Sequence, residues 1–172
     1  YNGDDQGFFA LGATEDFPTF CGDHGTHTLG TVMGLDRLNN DTIGVAFNAA
    51  WLGARTICGD VGNENENLAS WQWAMDPDGD PSTVTDMPVT INNSWWDPQA
   101  REECNSLYIG AIQATEAVGM AVIFSAGNGG SGDSTITAPK NINYDELNIF
   151  CVGNLNGNRT DLRITPSSSR GP

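Results

Sequence analysis

The chain has 172 residues, 38% of them hydrophobic, with 22 acidic against 7 basic residues for a formal net charge of −15. That length suits one domain with its own core, and no apolar run is long enough to cross a bilayer as a helix. The acidity argues against nucleic acid, whose phosphates such a surface repels, and a membrane partner is not expected either.

Read in chain order, the pattern alternates helices and strands. Gly22 and Gly25 bracket Asp23-His24, so a glycine-bounded loop leads into a helix predicted over His24 to Leu35. Gly25, Gly30 and Gly34 leave one side of that helix bare, which predicts close packing and burial in the middle of the domain. A strand follows over Ala49 to Ile57, a helix over Glu64 to Met75, and a strand over Val89 to Trp95. A longer helix is predicted over Gln99 to Val118, with Asp97-Pro98 as cap and first turn. Leu107, Ala111, Ala114 and Val118 recur on one of its faces, with Tyr108 and Ile112 beside them. Strands over Met120 to Ala126 and Ile149 to Val152 complete the series. This alternation predicts an α/β fold with a parallel sheet, and sites in such sheets gather at the carboxyl ends of the strands. There is no internal repeat or linker, so residues 1–172 read as one unit.

Cys21, Cys58, Cys104 and Cys151 contain no CxxC pair, which excludes a zinc ribbon and leaves disulfides or inert thiols, with the pairing open. Asp76, Asp78 and Asp80 alternate in a turn as in calcium loops, although Pro81 and Met87 stand where an EF-hand needs glycine and glutamate. A structural calcium is therefore the cofactor to test for; the chemistry below requires none, and no metal ligand is assigned.

The chain's two histidines lie three apart, in His24-x-x-His27. A zinc site would need a third ligand, which Cys21 or Asp23 could supply. A histidine at the mouth of a helix also suits a general base.

The run His24-Gly25-Thr26-His27-Thr28-Leu29-Gly30-Thr31 resembles the histidine block of the subtilisin-like serine proteases, HGTHxxGT. Later matches keep that family's order. Asn39 to Ala46 resembles the segment after the histidine helix, with Phe47 where proline is common, and Ala49 to Ile57 resembles the next core strand. Val89 to Trp96 is similar to the strand that ends in Ser-x-Gly and pairs with a bound peptide. Ser125-Ala126-Gly127-Asn128-Gly129 resembles the AGN block, and Ser167 to Pro172 the SSRGP segment.

The resemblance implies a three-layer subtilisin-like parallel sheet with helices on both faces, and a secreted or extracellular endopeptidase acting on polypeptides. It assigns His24 as catalytic base and acid, His27 as a supporting residue, and Asn128 as oxyanion donor. Ser94, Trp95, Trp96, Ser125, Ala126 and Gly127 become substrate-binding positions, with Trp96 standing where the family has glycine. The triad order is Asp, His, Ser, yet no Asp-[Ser/Thr]-Gly precedes His24 and no Gly-Thr-Ser follows Asn128. Together with a start at Tyr1 and a stop at Pro172, this gives the expectation of an incomplete peptidase domain, inactive alone. The alternatives are a non-catalytic protease-like binding module and a His-x-x-His metal-binding protein. Oligomeric state is not set by the sequence.

Overall fold

The protein was analysed as a computed structural model that describes residues 7–12, 21–57, 64–97, 106–142 and 149–171. Its centre is a parallel sheet of three strands, β5 (Thr90–Asn93), β6 (Ala121–Ser125) and β7 (Ile149–Val152), with β6 in the middle. Asn93 lies opposite Phe124, and Ser125 opposite Val152. Along β6 burial alternates, Val122 and Phe124 being buried and Ala121, Ile123 and Ser125 half-buried, as the two-residue period of a strand requires.

Two helices cover the Val122–Phe124 face: α2 (Glu64–Ala74) and α3 (Ser106–Ala117). Trp71 of α2 is 0% exposed and meets Tyr108, Phe124 and Trp95 at ring centroid separations of 6.0, 6.1 and 6.2 Å. At about 25 cal/mol per Å² and 150–250 Å² per large ring, each of these aromatics contributes about 4–6 kcal/mol of burial before entropy is counted. Trp73, two residues on, stacks instead on Phe9 at 5.4 Å. Helix α2 thus carries aromatic contacts on both sides.

Of the apolar side read on α3, Tyr108 and Ile112 are buried, together with Thr115, and Ala111 is half-buried against the core, while Leu107 is 58% exposed and Ala114 and Val118 are also exposed. The register is set by Tyr108, whose hydroxyl donates to buried Asp97 at 2.8 Å while its ring joins the aromatic cluster. The predicted first part of this helix, from Gln99, lies outside the described residues, as does Pro98.

The helix α1 (His24–Met33) stops two residues before the predicted Leu35. Gly34 turns extended, at φ −57° and ψ 131°, and Leu35–Asp36 (β2) pairs antiparallel with Asp41–Thr42 (β3). Burial of α1 in mid-domain is not observed: none of its residues is buried, and nothing stands within 4 Å of a side chain built on Gly25 or Gly30. Its apolar side opens, with Trp51, onto a shallow groove of about 260 Å³ lined by Thr26, Leu29, Gly30 and Met33. At the far end α1 is held tightly. Gly44 donates its N–H to Gly34 O at 2.7 Å, and a Cβ on Gly44 would lie 2.4 Å from the backbone nitrogens of Met33 and Gly34.

Only Gly53–Ala54 (β4) of the strand predicted over Ala49 to Ile57 is laddered, because its parallel partner β1 (Phe8–Phe9) offers two residues. Among the described residues β1–β4, β2–β3 and the central sheet are separate ladders.

Candidate active site

Two assigned segments meet at the carboxyl ends of β5 and β6. Ser94, Trp95 and Trp96 leave β5 beside Ser125, the last residue of β6, and the Ala126 and Gly127 that follow it, because the two strands are paired in register as far as Asn93 and Phe124. Ala126 N–H donates to Val152 O at 2.9 Å, extending the ladder one residue past β6. Gly127 then turns at φ +98°, where a side chain is strained, and Asn128 emerges exposed.

The two tryptophans part company. Trp95 faces inward, its indole N–H donating to Asn93 Oδ1 at 3.1 Å and its ring 5.1 Å from Phe124. Trp96 is 51% exposed. Asn93, not singled out in the sequence, organises this end of β5. Its oxygen accepts both Trp71 Nε1 at 3.0 Å and Trp95 Nε1, and its amide donates to Ile91 O and Ile123 O at 3.2 and 3.3 Å. A single 2%-exposed amide thereby ties α2, β5 and β6 together.

The turn carrying Asn128 is held from behind by residues 165–171, a role the sequence did not reveal. Ser169 N–H donates to Gly127 O at 3.0 Å, and Ser169 Oγ accepts from Gly129 N–H at 2.8 Å. Gly130 N–H donates to Ser167 O at 3.0 Å, while Thr135 and Ile136 N–H both reach Arg170 O at 3.0 Å. Both flanks of Asn128 are therefore fixed by Ser169, 5% exposed.

Beside the same turn lies Lys140, 6% exposed, with Nζ 3.0 Å from where a Cβ on Gly127 would stand. Burial pulls its ammonium below the ordinary lysine range, and Cys151 works in the opposite direction.

His24 is the first residue of α1 and is exposed, as is His27. Asp23 precedes it without a side-chain cap, although its carbonyl accepts His27 N–H at 2.9 Å. Among the described residues neither histidine joins a group of three metal ligands; the one such group is Asp76, Asp78 and Asp86, whose oxygens lie within 4.8 Å of one another. Asp86 takes the place expected of Asp80, because Asp80 is spent on Ser82, accepting its N–H at 3.0 Å and its hydroxyl at 2.7 Å. Those two bonds also hold the Asp80 carboxyl below its usual range.

A parallel sheet with helices packed on it and a glycine-flanked asparagine turn at its carboxyl ends is the arrangement of an α/β fold of the subtilisin-like class. Residues 8–172 match the family model of the Subtilase family, Peptidase_S8, and the chain belongs to that family. It is 32% identical over 157 residues to Bacillopeptidase F of Bacillus subtilis (strain 168), covering 87% of this chain and 10% of that protein. Among solved structures, it is similar to the S41 psychrophilic protease, with a TM-score of 0.57 and 25% identity over 74% of this chain and 38% of the other. Sphericase gives 0.62 and 23% over 81% and 42%. The Prenylagaramide maturation protease PagA gives 0.66 and 16% over 99% and 52%. The chain thus spans a tenth of the curated relative and about half or less of these structures.

Proposed function

We propose that this protein is the part of a serine endopeptidase that supplies the general base, the oxyanion donor and the substrate-binding strand ends. The observation that carries the reading is the pairing of β5 and β6 to their carboxyl ends, with Asn128 exposed on a turn clamped by Ser169. An extended polypeptide would lie along Ser94 to Trp96, with Ser125 to Gly127 as the facing wall. His24 takes the proton of the nucleophilic serine as that oxygen attacks the peptide carbonyl. Asn128 donates to the oxyanion, and His24 then protonates the leaving amine. Water hydrolyses the acyl-enzyme by the same steps in reverse. The aspartate and serine of the triad are not assigned to any of these 172 residues.

The protein expressed from its full reading frame should cleave casein and lose that activity in His24→Ala. Asn128→Ala should lower kcat by about 10²–10³-fold, the loss measured on removing one oxyanion donor from a subtilisin. Full activity in His24→Ala would dismiss the assignment, and an inactive parent that still binds peptides would favour the binding-module alternative.

Export from the cell is part of the same reading. Cys21 is disulfide-bonded, which suits an oxidising compartment.

A structural calcium fits Asp76, Asp78 and Asp86. Asp76 Oδ1 and Asp86 Oδ1 are buried without a hydrogen-bond partner, and three carboxylates this close repel one another unless a cation lies between them. Millimolar calcium should raise the melting temperature and Asp86→Asn should abolish the rise; an equal rise in the variant would exclude this site.

A further inference from the structure

Asn128 is followed by Gly129, and Asn156 by Gly157. An asparagine before glycine is prone to lose its side-chain amide, because no side chain on the second residue hinders its backbone nitrogen from attacking Cγ. That nitrogen gives its proton to solvent and bonds to Cγ, the Cγ–Nδ2 bond breaks, and ammonia leaves with a proton from solvent. Water then opens the cyclic imide to aspartate or isoaspartate.

The two pairs differ in what holds the attacking nitrogen. Gly129 N–H donates to Ser169 Oγ at 2.8 Å, and the following Gly130 N–H to Ser167 O at 3.0 Å. Ser169 is 5% exposed, and its own N–H is fixed on Gly127 O at 3.0 Å. Gly157, by contrast, is exposed, and its N–H has no partner among the described residues. Packing also dictates glycine at 129. A Cβ there would stand 3.0 Å from Ser169 Oγ, 3.2 Å from Thr135 O and 3.3 Å from Thr135 Cβ, whereas nothing lies within 4 Å of one on Gly157. The turn therefore cannot shield Asn128 by placing a bulkier residue after it, and Asn128 and Gly129 are both open to solvent.

We propose that Asn128 is a latent deamidation site and that Ser169 is the lock on it, holding the Gly129 nitrogen away from the reaction by its hydrogen bond. The rate is then set by how often residues 165–171 open from the turn. The consequence for activity rests on the proposed function. Aspartate or isoaspartate has no amide N–H for the oxyanion and puts a negative charge beside it, so each opening that runs to completion ends catalysis irreversibly.

The test is tryptic mapping with tandem mass spectrometry of the full-reading-frame protein held in mildly alkaline buffer, in a His24→Ala background that prevents self-digestion. Cuts after Arg101, Lys140 and Arg159 put Asn128 and Asn156 on separate peptides. In the folded protein Asn128 should deamidate at least about fivefold more slowly than Asn156, the rate equivalent of one net hydrogen bond, and in urea the two rates should converge. Ser169→Ala, shown by thermal melting to be folded, should deamidate at Asn128 about fivefold faster than its parent. Equal rates at the two asparagines in the folded protein, or an unchanged Asn128 rate in folded Ser169→Ala, would overturn the proposal. Casein cleavage is scored separately in the protein that keeps His24. Cleavage that falls in step with Asn128 deamidation supports the loss of the oxyanion donor, whereas deamidation at the predicted rates with cleavage undiminished removes only the oxyanion role of Asn128.

Discussion

Replacing Ser169 with alanine should reach catalysis through Asn128 without touching it. Ser169→Ala keeps the backbone bond to Gly127 O and removes the one from Gly129 N–H to Oγ, 2.8 Å long. Gly129 is itself exposed, so water can reach the freed amide, and the stability loss should sit near about 1 kcal/mol, at the low end for an orphaned donor. In a domain of this size that lowers the melting temperature by about 2–4 °C. The larger effect falls on rate. Asn128 stays present but loses one of its two fixed flanks, so its loss should be smaller than the 10²–10³-fold of outright deletion: kcat should fall about tenfold, or about 1.4 kcal/mol, with KM unchanged. The assay is a double-mutant cycle with Asn128→Ala on the full-reading-frame protein. If Ser169 acts by placing Asn128, the double variant is no slower than Asn128→Ala alone. A further tenfold loss in the double variant, or no change in kcat for Ser169→Ala, would refute the argument.

Two other outcomes follow from packing and burial. In Gly44→Ala the new methyl would stand 2.4 Å from backbone atoms at the end of α1, which cannot yield as a side-chain tip can, so urea unfolding should show a loss of about 3 kcal/mol or more; a loss under 1 kcal/mol would contradict the close approach. Burial, with the Asp97 carboxylate adding to it, pushes the Tyr108 hydroxyl far above its ordinary value. The native state therefore favours neutral Tyr108, and its stability is intact below about pH 10 and falls as pH rises past that unfolded-state value. Absorbance titration should show one of the three tyrosines failing to ionise until the protein unfolds; three tyrosines titrating together near 10 would contradict the burial.

The sequence carried the elements with strong local signals and missed those fixed by partners far along the chain. Strands β6 and β7 were legible as short apolar runs, whereas α2 and β5 were placed by residue type and by the alternation of elements, since α2 has no apolar stripe and β5 holds one apolar residue, Ile91. The ladders β1–β4 and β2–β3 were not legible, since two-residue strands exist only through their pairing. The α3 face was legible in Tyr108, Ile112 and Ala111 but drawn too wide, since the Tyr108–Asp97 hydrogen bond and the ring cluster centre it on Tyr108 and leave Leu107, Ala114 and Val118 exposed. For the candidate site, the roles proposed for His24 and Asn128 come from motif order in the sequence. No local signal announces that Ser169 reaches Gly129 40 positions away, or that Lys140 closes on Gly127. Asp86 in place of Asp80 has a local cause instead, since Ser82, two residues on, holds the Asp80 carboxylate.

The central claim, that His24 activates a serine nucleophile, is tested most directly by labelling the full-reading-frame protein with a fluorophosphonate that reacts only with activated serines. The account predicts stoichiometric labelling of one serine, and a labelling rate at least about 10³-fold lower in His24→Ala, as expected when a triad loses its base. Labelling at the same rate in His24→Ala, or no labelled serine in the parent protein, would contradict it.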